Sequence, residues 1–480
     1  MTVTKYFRNC GAPLAILVAF AAWFSVPLTT VQAQCSGAEG NNAIYANCGT
    51  HGALGIQGST AYIDASVFAS TSTDFCATIY GILNSGSYPA AGAVIDARGI
   101  SSHNSNLTCA STTSPWYESS GGYLDKPSVL LLPAQTITIP YTWLLPNMTK
   151  IIGEGASNTA LTGTVLAAAS GFAGLGVANV PTAMIQFGDQ KRTGSLTCGG
   201  TGVCFDISVE ELTLNGTSQA IDGILNLDSE ELTYVRDVSL YQITGTGLEI
   251  GNLNFPNQEQ NSGPYTDIYY SSGSSSGNCV KIYGLTMRGI HGLDCVASSN
   301  TNGAILLDSA GNTLEDVYVD GFKDGVLIGS VAKGAYNGSG NVLLNISGSS
   351  AVTNLVHICN PNTNTGNCPG TTGTYTLNNV TDVSVVGVTA GGTNTIEDDM
   401  SVTTLPVSSD AHVGMYALGE AMGNGFSRFS TSKSFPTWYI GNFDISGSCS
   451  SAQTGSLYSN TGTSTTGLFV CAGSSWTGVN

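Results

Sequence analysis

Positive charge is scarce in this chain. Its 480 residues hold only 14 Lys and Arg against 32 Asp and Glu, a net charge of −18. Phosphate backbones and anionic lipid surfaces are repelled by such a field, which argues against nucleic acid and membranes as partners. Charge of either sign is low, at 10% of residues, where an average domain carries roughly a quarter. There are five His, and no Cys or His spacing has the zinc pattern. Long apolar runs are missing too, apart from Leu14 to Phe24. That run follows Lys5 and Arg8 and precedes Val31-Gln32-Ala33, small residues at the positions a signal peptidase reads. Residues 1–33 therefore read as an export signal cleaved after Ala33, because the run is short for a membrane span. The mature chain, 447 residues once 33 are removed from 480, is expected to be secreted and free of the membrane.

What is present is strand-like. Hydrophobic residues make up 42% of the chain, spread in short runs of Val, Ile and Leu. The 61 Gly, with abundant Ser, Thr and Asn, point to many tight turns. Of 13 Cys, Cys10 leaves with the signal and 12 remain. These fall into near neighbours: Cys35 and Cys48, Cys76 and Cys109, Cys198 and Cys204, Cys279 and Cys295, Cys359 and Cys368, Cys449 and Cys471. Spacing does not fix connectivity, but an even set suits an oxidising compartment.

A repeat runs from residue 209 onward: an acidic or small polar residue, a short strand, a gap, then a second strand opened by Gly or a polar residue. Glu211-Leu-Thr-Leu pairs with Gly223-Ile-Leu-Asn-Leu, and Asp237-Val-Ser-Leu with Gly247-Leu-Glu-Ile. Asp267-Ile-Tyr-Tyr, Gly292-Leu-Asp-Cys, Asp316-Val-Tyr-Val, Asn341-Val-Leu-Leu and Asp382-Val-Ser-Val continue the series. A period in the middle twenties is one turn of a coil, and stacked turns bury what a single turn cannot. The expected fold is all-β, a single-stranded right-handed parallel β-helix over 61–415. Residues 34–60 would cap its first turn, shielding strand edges. Residues 416–480 would form a small β module, a hairpin closed by Cys449 and Cys471. That tail reads as an end cap, with a carbohydrate-binding or homo-oligomerising role as the alternative. The last step of the repeat is long and holds Cys359 and Cys368, which suggests an inserted loop walling a groove.

Val129-Leu-Leu-Leu-Pro-Ala-Gln-Thr-Ile-Thr-Ile and Leu144-Leu-Pro-Asn-Met-Thr-Lys-Ile-Ile-Gly-Glu-Gly resemble the opening turns of the pectate-lyase-like superfamily. Gly92-Ala-Val-Ile-Asp-Ala-Arg-Gly is similar to the strand that begins such domains. Gln135 stands where that family usually has Gly. The resemblance implies the coil and, for many members, action on polysaccharides; the superfamily also holds non-catalytic surface proteins. The polygalacturonase companions and the lyase arginine segment are missing, so no member's catalytic residues carry over.

Strand alternation gives an outward ladder of Thr213, Ser239, Tyr269, Asp294, Tyr318, Leu343 and Ser384. Asp294 between two tyrosines suits a sugar platform, with Tyr269 and Tyr318 as substrate-binding faces. Asp294 is the candidate catalytic acid or base, joined by the nearby His291 and Arg288. Ordinary strand preference for Tyr explains the same ladder. A second ladder reads Asn226, Glu249, Lys281, Leu306, Leu327 and His357; Glu249 is either a substrate contact or the partner of Lys281 in an ion pair. The acids Glu211, Asp237, Asp267, Asp316 and Asp382 recur with the repeat and are expected to form turns. Glu397, Asp398 and Asp399, the densest acidic run, are candidate ligands for calcium. No other cofactor is expected. The functional expectation is an extracellular polysaccharide lyase or glycoside hydrolase; a non-catalytic glycan-binding or self-assembling protein is the alternative.

Overall fold

A computed structural model describes residues 61–358 apart from segments that include 158–161, 189–203, 252–261, 284–288 and 329–340; beyond 358 it describes chiefly β-strands. The proposed signal, the N-terminal cap, Arg288, Asp382, Asp399, Cys449 and the long insertion at 359–382 lie outside the described residues.

The chain is a parallel β-helix. Strands at one position of each turn hydrogen-bond to those of the next, all in parallel through Asn354–Ile358. Two positions alternate. First strands include Ser208–Asn215, Tyr234–Tyr241, Tyr265–Ser272 and Val342–Gly348. Second strands include Ala183–Phe187, Asp222–Asn226, Leu248–Ile250 and Val280–Ile282. Ile290–Leu307 and Thr313–Ile328 each run through both positions. Within this sheet antiparallel pairing appears only late, where Thr403–Pro406 and Tyr416–Leu418 join it; a separate small sheet of Thr113–Ser114, Tyr117–Glu118 and Gly122–Tyr123 is antiparallel.

Each first strand is bent by one residue. Glu211, Asp237, Asp267, Asp316 and Asn345 have φ between 51° and 54°, and Gly292, on the intervening turn, has φ 69°. A single left-handed residue inserts an extra step into the alternation. In Tyr265–Ser272, Tyr265 is inward, Thr266 and Asp267 both face out, and Ile268 and Tyr270 are inward again. Glu211, Asp237, Asp267 and Asp316 are therefore corner residues, as their turn-forming chemistry predicted; Asp and Asn tolerate this conformation better than most side chains. The corners at 211, 237, 267, 292, 316 and 345 are 26, 30, 25, 24 and 29 residues apart, by difference.

Inside, Leu212, Val238, Ile268, Leu293, Val317 and Ile346 stack in register and are at most 2% exposed. Each such side chain contributes about 1.5–3 kcal/mol when buried. A polar stack opens the second strands: Asp222 Oδ1 accepts from the Thr246 amide at 2.6 Å, Asn278 Nδ2 donates to Gly303 O at 2.7 Å, and Asn354 Nδ2 donates to Asp324 Oδ1 at 2.8 Å. These bonds satisfy polar groups that the coil takes out of water.

The helix Phe75–Leu83 is the one α-helix among the described residues. Asp74 caps it by accepting from the Ala77 amide at 3.0 Å, and Phe75 stacks on Trp143 at 6.4 Å. Disulfides join Cys76 to Cys109 and Cys279 to Cys295. The second of these links the start of a second strand to the next turn's first strand. At the C-terminus, Trp438–Gly441, Leu457–Asn460, Gly467–Ala472 and Ser475–Gly478 form a four-stranded sheet. It contains the expected hairpin, with Tyr458 opposite Phe469.

Candidate functional site

Past the corner, the outward residues of successive first strands lie in register: Thr213, Ser239, Tyr269, Asp294, Tyr318 and then Ser347. The expected ladder is thus correct from Thr213 to Tyr318 and wrong after it. Leu343 instead stacks on Leu314 before the corner and is fully buried, because Asn345, not Asn341, turns the chain. Ser384 correspondingly pairs with Val342.

Exposure rises along the ladder. Thr213 and Ser239 are buried, at 0% and 2%; Tyr269 is half-buried, Asp294 is exposed and Tyr318 is 39% exposed. Asp294 has a tyrosine directly opposite on each side. Partial desolvation there holds its carboxyl above the ordinary carboxylate range. The Tyr318 phenol is also raised, first by burial and then by the negative charges of Asp320 and Asp294. Asp320 follows Val296 in register, two residues beyond Tyr318 on the same outward face. Sequence reasoning missed Asp320, although alternation from Tyr318 would have found it.

His291 is not brought to Asp294. It precedes the Gly292 corner, lies in register with Thr266 and Glu315, and its Nδ1 is 2.7 Å from Glu315 Oε2. The corner turns it onto a different side of the coil. On that side Glu210 accepts from Tyr234 Oη at 2.6 Å and Ser208 Oγ at 2.9 Å, and pairs with Arg236.

The second ladder is shifted by one at its start. Leu225, not Asn226, faces Glu249. Asn226 is buried, donating to Ser229 O at 2.9 Å and to Tyr265 Oη at 3.0 Å. Glu249 does lie opposite Lys281, followed by Leu306, Leu327 and His357. At 2% exposure Glu249 is covered, so it does not present itself to a polymer in water. Glu397 and Asp398 lie in the strand Thr395–Asp398, in register with His357 and Ile358. Among the described residues no group of three or more His, Cys, Asp or Glu is placed to hold a metal ion.

A further element was not expected. Ile152 pairs with Glu210 and Val165 with Thr213, so residues 153–157 and 162–164, the described parts of a strap, lie where the next turn has Glu211 and Leu212. This strap is tied down by the Gly155 amide donating to Glu211 O at 3.0 Å and the Glu154 amide to Thr164 Oγ1 at 2.8 Å. It reaches the ladder itself: the Ser157 amide donates to Thr213 Oγ1 at 2.9 Å, and Thr213 Oγ1 donates to Ser157 O at 3.0 Å.

No protein-family model and no curated protein matches the chain. Among solved structures, ORF18 of Geobacillus virus E2 is similar at 12% identity, with a TM-score of 0.23. The match covers 70% of this chain and 61% of that one, so this chain spans under two thirds of its length.

Proposed function

We propose that the chain is an exported carbohydrate-active protein, a glycoside hydrolase or polysaccharide lyase, whose substrate crosses the turns over Tyr269, Asp294 and Tyr318. The observation that supports this reading is the exposed Asp294 flanked on both neighbouring turns by tyrosine. Aromatic rings present an apolar face with a polar tip, which suits sugar rings. A carboxyl held above its ordinary range keeps its proton to higher pH and can deliver it to a leaving oxygen. In hydrolysis, Asp294 would protonate the glycosidic oxygen as the bond breaks. Water would add to the anomeric carbon, and Asp320 would take the water's proton.

Product release from neutral and acidic glycans, with and without calcium, tests the proposal. Asp294→Asn is expected to lower turnover by about 10²–10⁴-fold while leaving the fold unchanged. Folded protein that releases no product from any glycan overturns the enzymatic reading. One observation favours a non-catalytic glycan binder instead: His291 is engaged by Glu315 and does not assist Asp294. A binder would retain glycans without product, and sedimentation would then test self-association through the C-terminal sheet.

A further inference from the structure

Along the coil axis, the first-strand row just past the corners reads Ser239, Tyr269, Asp294, Tyr318 and Ser347. Two rings stand on it, with one turn and one carboxyl between them. Neighbouring turns are about 4.8 Å apart, so the rings are separated by roughly 9.6 Å along the axis. On either side the row has a serine: Ser239 is buried, and Ser347 donates its hydroxyl to Val317 O at 3.2 Å. Tyr269 is half-buried and Tyr318 is 39% exposed, so both can be met from solvent.

Two rings at a fixed separation select among polymers. A sugar ring meets a tyrosine through its flat C–H face, and the ring's apolar body receives it. In a pyranose chain whose linkages are equatorial at both ends, each unit is turned over relative to the last. Such a chain is extended, and the same face returns every second unit, at a repeat close to two turns of this coil. A chain with one axial bond at each linkage winds, and its alternate units leave the line. The next outward row, two residues further along the strands, reads Tyr241, Ser271, Val296 and Asp320. It offers one ring, off the line of the other two.

We infer that the open face takes an extended, diequatorially linked polysaccharide lying along the coil axis, with alternate units stacked on Tyr269 and Tyr318 and the unit between them over Asp294. The inference rests on the glycan reading above and adds to it a direction and a linkage class. The middle unit can donate its hydroxyls to the Asp294 carboxyl, and the linkages on its two sides lie beside that group.

Titration calorimetry tests this on the full chain, with Asp294→Asn run in parallel so that the oligosaccharides stay intact. Uncharged diequatorial series (cello-, manno- and chito-oligosaccharides) are compared with malto-oligosaccharides of equal length, which carry one axial bond per linkage. At least one diequatorial series is expected to bind about tenfold or more tighter than the malto-series. Most of its gain should arrive with the third unit, because only then are both rings covered. Tyr269→Ala and Tyr318→Ala should each abolish that gain, whereas Tyr241→Ala should weaken binding by less than about threefold. Far-UV circular dichroism checks the fold of every variant. Equal or tighter binding of the malto-series overturns the linkage class. A gain that needs no third unit, or that survives the loss of either ring, overturns the axial placement. Both results leave the glycan reading standing. Binding to none of these series overturns the inference, and the wider panel of acidic and neutral glycans then decides the glycan reading separately.

Discussion

The two outward faces of this coil share one repeat and one register, yet they meet water differently. On first strands the ladder from Tyr269 to Tyr318 is open. On second strands the equivalent ladder runs Leu144, Gln186, Leu225, Glu249, Lys281, Leu306, Leu327 and His357. Six of these eight are at most 2% exposed, and Lys281 and Leu306 are half-buried. A strand covered on both faces reads as a near-continuous apolar run, while a half-solvated strand alternates. Ile224-Leu225 and Val326-Leu327-Ile328 show the first pattern; Ile268-Tyr269-Tyr270-Ser271 and Val317-Tyr318-Val319-Asp320 show the second. The same carboxylate chemistry therefore means different things on the two sides. Glu249 is held inside, and Asp294 is offered to solvent.

Placing one charge on each face is the strongest way to break that contrast. Leu225→Asp puts a carboxylate where no water reaches and should cost about 4 kcal/mol or more, enough to unfold many domains. Tyr318→Asp should stay within roughly 1 kcal/mol. Urea midpoints of the two variants measure the difference, and similar losses would show that both faces are packed alike. The Cys279–Cys295 disulfide ties the two strand positions together across a separation of 16 residues. Replacing both cysteines with alanine should cost about 3 kcal/mol, read as a fall in Tm under non-reducing conditions.

The pH response sharpens the comparison further. Burial pushes the Asp222 carboxyl up to about 6 from 3.8, opposed by the Thr246 amide and Lys281. Below the unfolded value both states hold the proton. Between 3.8 and about 6 only the folded state keeps it, so stability falls as pH rises through that window, by about 3 kcal/mol in all. Asp222→Asn should flatten this slope in denaturation series between pH 4 and pH 7, roughly the span around those two values; an unchanged slope assigns it elsewhere. The smallest effect concerns the corners. Gly292→Ala should cost about 1–2 kcal/mol, since its new Cβ would also sit 2.9 Å from Asp267 Oδ1. Asp267→Gly should gain up to about 1 kcal/mol at a φ of 54°. Thermal melts of the pair decide whether corner conformation limits stability.

The fold and the open ladder were legible because a corner acid, or Gly292 in its place, followed by a β-branched or aliphatic residue marks the turns from Glu211 to Asp316. The reading failed where that mark was ambiguous. In Asn341-Val-Leu-Leu-Asn345-Ile-Ser two asparagines compete for the corner, and Asn341-Val-Leu-Leu has the same form as Asp237-Val-Ser-Leu, so spacing and pattern favour the wrong one. In Gly223-Ile-Leu-Asn-Leu a strand buried on both faces offers no alternation, so the register slipped by one. The strap left no trace in the repeat because it replaces a corner by a loop. His291 and Asp294 are close in sequence, but the intervening Gly292 corner separates their directions, which spacing alone does not reveal.

The corners have a last consequence, for how such a coil can change. From corner to the matched residue of the second strand the path is 10–13 residues, taking Ile224, Leu248, Val280, Ile305, Val326 and Val356 as references; the way back to the next corner takes 11–19, again by difference. Length thus varies mostly on the return, and no ladder residue shifts when it does. The coil behaves as a screw thread with a fixed pitch onto which spacers of any size can be fitted. Lengthening one of them costs only the logarithmic entropy of closing a longer loop, about 0.6 kcal/mol per doubling. New surface can therefore be added turn by turn while the Tyr–Asp–Tyr ladder keeps its place.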